Sequence, residues 1–206
     1  MSLGRIPGRT VGRSVNGRTI LRDTRNVRHE AGVIDAASRD GKSDYAYELL
    51  AGTAMARVAA TNRLRPCIRT SLAADVAMGA STAIVAESRF IQAGDTLSID
   101  ENEVTVSAVD YDTDTLSLAT PIAAAAVAGD AVAAAGTLAG AEKCVGFLDE
   151  FVSLRDKQTE VIGERTTGKL VVQAFVLDDM LLGDIAAIRA ADNELGLIHF
   201  QDQFQG

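Results

Sequence analysis

The sequence predicts a mainly β protein: a small β-rich core with one short helix, an inserted β-module and an extended N-terminal arm. Short runs that alternate apolar and polar residues recur between Asp, Asn and Gly turns, a pattern typical of β-meanders. Residues 170–177 form the longest β-like apolar run, and only residues 184–191 show a helical pattern. The basic residues are concentrated near the N-terminus, which separates an arm from the body.

Residues 1–44 are predicted to form a flexible basic arm and loop. Residues 1–30 hold seven arginines against two acids, a net charge of +5, whereas residues 31–206 hold 13 basic and 26 acidic residues, a net charge of −13. Glycine entropy and charge repulsion make the arm costly to order alone, so we expect it to order on a partner. The arginines predicted to bind that partner are Arg5, Arg9, Arg13, Arg18, Arg22, Arg25 and Arg28.

The partner of the arm is open at this point among three alternatives. Arginine pairs with phosphate, but the arm has no Phe, Tyr or Trp to stack on bases, which disfavours nucleic acid. An acidic protein surface is therefore the favoured partner. The third alternative is a solvated tail with no role.

Residues 45–73 and 140–206 are predicted to form the β-rich core. Residues 45–60 are ambiguous, because their alanines and leucines favour a helix while residues 55–58 alternate like a strand; the favoured interpretation pairs residues 55–58 and 64–68 as a hairpin. After residue 140, the pattern predicts strands over 144–151, 158–164, 170–177 and 195–200, and a short helix over 184–191 that Asp184 caps.

Residues 74–139 are predicted to be an inserted acidic β-module. Alternating runs occur at 81–86, 96–99, 103–109 and 115–120, with turn residues between them. Residues 78–135 contain nine acids and one basic residue, a net charge of −8. We therefore expect the outer face of the module to be well solvated.

The composition argues against an enzyme and indicates no cofactor. The 206 residues include only two histidines, which leaves little scope for metal or general-base chemistry. No apolar run of about 18 residues and no signal-like leader is apparent, so we expect no membrane association. The two cysteines, Cys67 and Cys144, cannot make a disulfide framework and favour a reducing compartment. They flank the module, so they are neighbours if its two ends meet, and we expect free thiols rather than a disulfide.

Two short motifs lack the context of a binding site. Residues 163–169, Gly-Glu-Arg-Thr-Thr-Gly-Lys, match the start of a phosphate-binding loop, but Leu170 stands where Ser or Thr is required and a β-run follows. We interpret residues 166–169 as a hairpin turn. Asp110, Asp112 and Asp114 are spaced like calcium ligands, but the required Gly and Glu are missing, so a turn solvated by its own acids is predicted.

His199 and His29 do not indicate catalysis. His199 lies in the predicted closing strand, where a packed or edge histidine is the expected role, and no Ser or Cys lies near it in sequence. His29 lies in the basic arm. No catalytic or metal-binding residue is therefore predicted.

With the module set aside, the pattern resembles the head-decoration (cement) proteins of tailed bacteriophages, of the lambda-like type. The resemblance rests on Leu-Ala-Gly-Thr-Ala-Met-Ala-Arg-Val at 50–58, Asn-Arg-Leu-Arg-Pro-Cys at 62–67, Cys-Val-Gly-Phe-Leu at 144–148 and Gly-Lys-Leu-Val at 168–171. It covers about residues 45–70 and 140–200. The chain departs from compact members of that family by about sixty extra residues.

The resemblance implies a structural protein of the virion exterior, made in the host cytoplasm. Such proteins form trimers at three-fold positions on the expanded capsid, and their arms order on the major capsid protein. The arm of this chain fits that role, because an extended segment can add to an exposed strand edge and three modest attachments reinforce one another. No small-molecule substrate is implied.

Two other functions remain open. The first is another virion structural protein, such as a head–tail connector or a tail component. The number of copies per particle would distinguish it from a decoration protein. A nucleic-acid-binding protein that acts through residues 1–30 is disfavoured by the acidic body. A steep salt dependence of DNA binding would support that alternative.

Overall fold

The predicted fold class is confirmed, because strands dominate the part of the chain that the structure describes. The computed structural model describes residues 20–156, 158–191, 195 and 197–201. The strands in chain order are β1 (Leu21–Ile34), β2 (Glu48–Leu49), β3 (Ala54–Arg57), β4 (Leu64–Pro66), β5 (Arg69–Ser71), β6 (Thr82–Ile84), β7 (Thr96–Ile99), β8 (Asn102–Asp110), β9 (Thr115–Leu118), β10 (Ala131–Ala134), β11 (Cys144–Leu148), β12 (Val152–Ser153), β13 (Arg165–Leu177) and β14 (Ile198–Gln201).

The first sheet closes into a five-stranded barrel. Its order is β1-β4-β3-β11-β13-β14, and β1 also pairs with β13, so the first five strands form a ring. Strand β14 adds to β13 in parallel outside the ring. The predicted hairpin is confirmed, since β3 and β4 are antiparallel with Met55 opposite Pro66. A two-stranded ribbon of β2 and β12 lies beside the barrel.

Strands β3, β4 and β11 of this barrel are buried on both faces. Met55, Leu148 and Leu170 belong to one apolar cluster, while their chain neighbours pack into another that includes Phe147 and Val171. Alternate residues of a strand point to opposite faces, so the two clusters lie on the two sides of the sheet. On β13 this double burial holds at Leu170 and Val171, whereas Phe175 is exposed, so the apolar run over 170–177 is buried on both faces only at its start.

The inserted module forms a second barrel. Its order is β5-β10-β7-β8-β9-β6, and an antiparallel bridge between Leu72 and Val85 brings the last strand back to the first. The Ala86 amide donates to the carbonyl of Ser71 at 2.9 Å on this closing seam. The strands predicted within 81–120 are all present as β6 to β9. The predicted core segment, residues 45–73, included β5. In the structure β5 instead pairs with β10 and belongs to the second barrel.

The helix prediction is also confirmed. Helix α1 spans Ile185–Ala190, and the carboxylate of Asp184 accepts a hydrogen bond from the Ala187 amide at 3.0 Å. Ile188 is fully buried in the core of the first barrel. Within the described residues, no helix is long and apolar enough to cross a membrane.

Three local predictions were wrong. The loop predicted over 31–44 begins with the last residues of β1, where Ile34 is fully buried and lies opposite Arg165. Residues 166–169 are not a hairpin turn, because they continue β13 through its pairing with Gly32 and Val33.

The strand predicted over 158–164 is a turn instead. The carboxylate of Asp156 accepts hydrogen bonds from the amides of Gln158 and Thr159, each at 2.9 Å, and the φ of Glu160 is +57°. An Asp side chain that binds the amides two and three residues ahead stabilises a turn rather than a strand.

Candidate functional site

The arm arginines fall mostly outside what the structure describes. Arg5, Arg9, Arg13 and Arg18 lie outside the described residues, and Arg22 and Arg25 lie on β1 with side chains that are not described. Arg28 is exposed on β1 and forms an ion pair with Glu30 at 2.9 Å. The structure therefore does not test the arm as a binding site, but it shows that residues 21–34 form a strand rather than a loop.

Strand β1 fixes the arm to the body. It is antiparallel to β13 from the Leu21–Val176 pair to the Ile34–Arg165 pair, and the Leu177 amide donates to the Ile20 carbonyl at 2.8 Å. Ile20 and Leu21 are buried in the apolar core. Residues 1–19 consequently precede a strand that is held by both hydrogen bonds and apolar packing.

The other edge of β1 is largely open within the described residues. Its pairing with β4 is parallel and limited to Ile34 and Leu64. A strand with one unpaired edge presents amide and carbonyl groups to which an extended chain can add.

A buried ion pair connects the two barrels. Nη1 of Arg89, which follows β6, lies 2.9 Å and 3.2 Å from the two carboxylate oxygens of Asp40, a residue of the loop after β1. The Asp40 side chain is fully buried. Burial raises the pKa of Asp40, although the Arg89 guanidinium opposes that effect.

Lys42 extends this connection. Its Nζ lies 2.8 Å from Glu87 and 2.7 Å from Asp114, both in the second barrel. Burial alone would lower the pKa of Lys42, but its hydrogen bonds to the two carboxylates outweigh burial and raise it. For Asp114, burial would raise the pKa, but hydrogen bonds from Lys42 and Ser88 outweigh it and lower the pKa. The ammonium is therefore held between two anions.

Further polar contacts cross the same junction. The guanidinium of Arg65 on β4 lies 3.6 Å from the carboxylate of Asp95, and both side chains are almost completely buried. The side-chain amide of Gln92 donates a hydrogen bond to the Ala37 carbonyl at 2.9 Å. Together these contacts fix the position of the inserted barrel on the first one.

The two histidines contact different side chains. His29 lies on β1 with its Nε2 3.3 Å from Oδ2 of Asp149. Burial raises the pKa of Asp149, and His29 opposes that effect. His199 is exposed on β14 and stacks on Phe175 at 4.9 Å between ring centroids. It is an edge histidine, as the sequence predicted.

The two motifs are structural in this fold. Residues 163–169 enter β13, so they do not precede a helix as a phosphate-binding loop must. The carboxylate of Asp110 accepts hydrogen bonds from the amides of Asp112 and Thr113, which stabilises the β8–β9 turn. Asp114 instead points to Lys42, which the turn prediction did not anticipate. Among the described residues, no group of three or more metal-ligating side chains is present.

Cys67 and Cys144 are buried neighbours, and no disulfide joins them. A hydrogen bond to Cys144, together with burial, raises the pKa of Cys67 well above its ordinary value. The closeness follows from the module leaving the first barrel after β4 and returning at β11, as the flanking positions of the two thiols suggested. The raised pKa keeps Cys67 protonated and poorly nucleophilic.

The first barrel carries a groove that was not predicted from the sequence. It has a volume of about 630 Å³ and lies between the segment that enters β2 and the turn after β12. Its lining includes Asp44, Tyr45, Tyr47, Glu48, Arg155 and Glu160. Two of the three tyrosines lie two residues apart in a chain that is only 4% aromatic, a signal that could have marked this segment.

Comparisons with known proteins give no relative from which to transfer a role. No family model matches the chain, and neither a curated protein nor a solved structure matches it significantly.

Proposed function

We propose that this chain is a structural virion protein that decorates and cements the outside of a tailed-phage capsid. It acts as trimers at three-fold positions, and its N-terminal arm orders on the major capsid protein. The role is that of a clamp between adjacent capsomers rather than of an enzyme.

The observation that carries the proposal is the continuity of the arm with β1. An arm that holds a shell together must transmit load into its own body. Here the segment after the arm is a 14-residue strand that pairs with the 13-residue β13 and buries Ile20 and Leu21. A short exposed tether would detach locally, whereas release of this strand must break its pairing with β13 and expose Ile20 and Leu21.

Charge and valency support the same role. Residues 1–19 hold four arginines and no acid, so they suit a surface rich in carboxylates. Three arms on a trimer would raise the effective concentration of each attachment, so a modest affinity per arm suffices. The ion pairs between the barrels keep the inserted module in a fixed position on such a trimer.

Copy number tests the proposal most directly. Quantitative mass spectrometry on gradient-purified particles should find several hundred copies per particle. A dozen or fewer would identify a connector or tail component instead. Absence from particles would reject a virion role, and the salt dependence of DNA binding would then be measured.

Arm variants test the mode of attachment. A deletion of residues 1–28 would remove about half of β1, including the buried Leu21. The deletion that tests the arm is therefore residues 1–19, which leaves β1 intact. Full-length protein with Arg5, Arg9, Arg13 and Arg18 changed to Gln should lose shell binding and keep its folded spectrum. Full decoration by this variant would contradict attachment through the arm arginines.

A further inference from the structure

The groove beside β2 plays no part in the proposed function. Its volume of about 630 Å³ lies within the range of about 300–1,000 Å³ that small-molecule sites occupy. The groove is open to solvent, since the side chains of Arg155 and Glu160 in its lining are half exposed or more. A ligand of this groove is therefore not enclosed, and a segment of a longer molecule fits as well as a small one.

The charges of the groove nearly balance. Its carboxylates come from Asp44, Glu48 and Glu160, and they face the guanidinium groups of Arg155 and the adjacent Arg39. Three negative and two positive groups leave a net charge of −1. Arg155 donates to Glu160 at 2.8 Å. Within the described residues, the carboxylates of Asp44 and Glu48 accept no hydrogen bond and form no ion pair, so their oxygens are available to a ligand.

The two tyrosines of the groove differ in what covers their rings. The guanidinium carbons of Arg39 and Arg155 lie 4.3 Å and 5.6 Å from the centroid of the Tyr47 ring, so cations of the chain itself already cover that ring. Tyr45 has no such contact within the described residues, and it is 68% exposed. Its ring therefore presents a bare apolar surface at the wall of the groove.

These features disfavour charged and wholly apolar ligands. An anion would face three carboxylates, and a cation would find the Tyr47 ring covered and a net charge of only −1. An apolar ligand would remove water from the carboxylates of Asp44 and Glu48 without replacing their hydrogen bonds, which costs free energy. An uncharged sugar avoids each of these costs, because its hydroxyls donate to carboxylates and accept from guanidinium groups while its C–H face packs on an aromatic ring.

We infer that the groove binds an uncharged oligosaccharide, with a sugar ring stacked on Tyr45 and its hydroxyls donating to Asp44 and Glu48. Arg155, which Glu160 holds in place, donates to a further hydroxyl of the ligand. The inference goes beyond the proposed function, because it gives the chain a second ligand that is independent of the shell. When the site is repeated on every copy in an assembly, a weak affinity per copy suffices to hold a polysaccharide.

Affinity electrophoresis of the full-length chain tests the site. The probes are four uncharged polysaccharides cast into native gels: dextran, an α-mannan, a galactan and hydroxyethyl cellulose. They present glucose, mannose and galactose units in different linkages. At least one gel should retard the protein relative to a gel without polysaccharide, and the retardation measured against polysaccharide concentration gives the affinity. Unchanged mobility in all four gels would overturn the inference.

Variants of the groove assign the binding to particular side chains. Tyr45→Ala should weaken binding about tenfold or more, equivalent to about 1.4 kcal/mol, because the stacking ring is lost. Tyr45→Phe keeps the ring and should stay within about threefold of the wild type. Glu48→Gln should weaken binding about threefold or more, because a neutral acceptor replaces a charged one. Wild-type affinity in Tyr45→Ala would overturn the inference.

Met78→Ala is the matched control. Met78 lies between β5 and β6 of the second barrel and is 72% exposed, so its substitution removes a similarly exposed apolar side chain away from the groove. Binding should change less than about twofold, and thermal unfolding should be unchanged in both variants. Equal weakening by Met78→Ala and Tyr45→Ala would indicate general adsorption and overturn the inference. These gels contain no shell, so their failure leaves the proposed function standing, and failure of particle decoration leaves this inference standing.

Discussion

Arg89 in the second barrel donates to both carboxylate oxygens of Asp40 in the first, and the Asp40 side chain has no exposed surface. This contact joins segments that are 49 residues apart in the chain. Lys42 reinforces it with two carboxylates of the second barrel. The relative position of the two barrels thus depends on charged groups as well as on apolar packing.

Removal of Arg89 should destabilise the protein strongly. Arg89→Ala leaves Asp40 buried without its cation, and loss of one partner of a buried pair costs about 3 kcal/mol or more. Chemical denaturation measures the free energy of unfolding. Arg63→Ala, which breaks an exposed pair with Glu164, is the control and should cost less than about 1 kcal/mol. Equal losses in the two variants would show that the Asp40 contact is not special.

The Lys42 contribution should depend on pH in a defined window. The pKa of Asp114 is lowered from 3.8, so its stabilisation is present above pH 3.8 and is lost as the pH falls through the lower folded value. The pKa of Lys42 is raised from 10.5, so its stabilisation is present below pH 10.5 and is lost as the pH rises through the higher folded value.

The stability difference between wild type and Lys42→Met should therefore be constant between about pH 5 and pH 9 and should shrink outside that range. Denaturant unfolding across pH measures it. The difference at the plateau should be about 1–2 kcal/mol, because the side chains involved are only about a quarter exposed. A difference that persists unchanged at pH 2.5 would contradict the role of the Asp114 carboxylate.

The thiol pair should be unreactive in the native state. Hydrogen bonding to Cys144 and burial raise the pKa of Cys67, so little thiolate is present at pH 8. Labelling by a chromogenic disulfide reagent should be at least about 100-fold slower in the native protein than in denaturant. Fast labelling of either cysteine in the folded protein would show that the junction opens easily.

A side chain at residue 146 should disrupt the first barrel. A Cβ at Gly146 would meet the Val171 carbonyl of β13, and backbone leaves little room to adjust. Gly146→Ala should cost about 2–4 kcal/mol. Gly163→Ala is the matched control, because its Cβ would meet only the end of the Arg165 side chain and its φ is not positive. Thermal unfolding should show a small change for Gly163→Ala and a large one for Gly146→Ala.

Local pattern predicted much of the fold and little of the candidate sites. Alternation placed β3, β4 and β6 to β9, and the Asp184 cap placed α1, because both signals depend on neighbours within a few residues. The same alternation over 158–164 failed, since the side chain of Asp156 binds the backbone there and a turn results. Strand β1 was not predicted, because its sequence is rich in arginine. It forms a strand by pairing with β13, which lies far along the chain.

The groove could not be inferred from the sequence. Tyr45 and Arg155 are 110 residues apart, and they share the groove because β2 pairs with β12. The two tyrosines, two residues apart, are visible in the sequence, but the turn that supplies Glu160 was predicted to be a strand. Its carboxylate was therefore expected elsewhere.

The sequence alone determined the fold class, the charge separation between arm and body, and the presence of an inserted β-module. These properties depend on composition and on periodicity over a few residues. They can therefore be predicted without knowing which distant segments of the chain pack together. Tertiary structure alone decided the closure of both barrels, the burial of Asp40 against Arg89 and the contact between Cys67 and Cys144. Each of these joins segments distant in the chain, and the free energy of such a contact is set by the geometry of the whole fold.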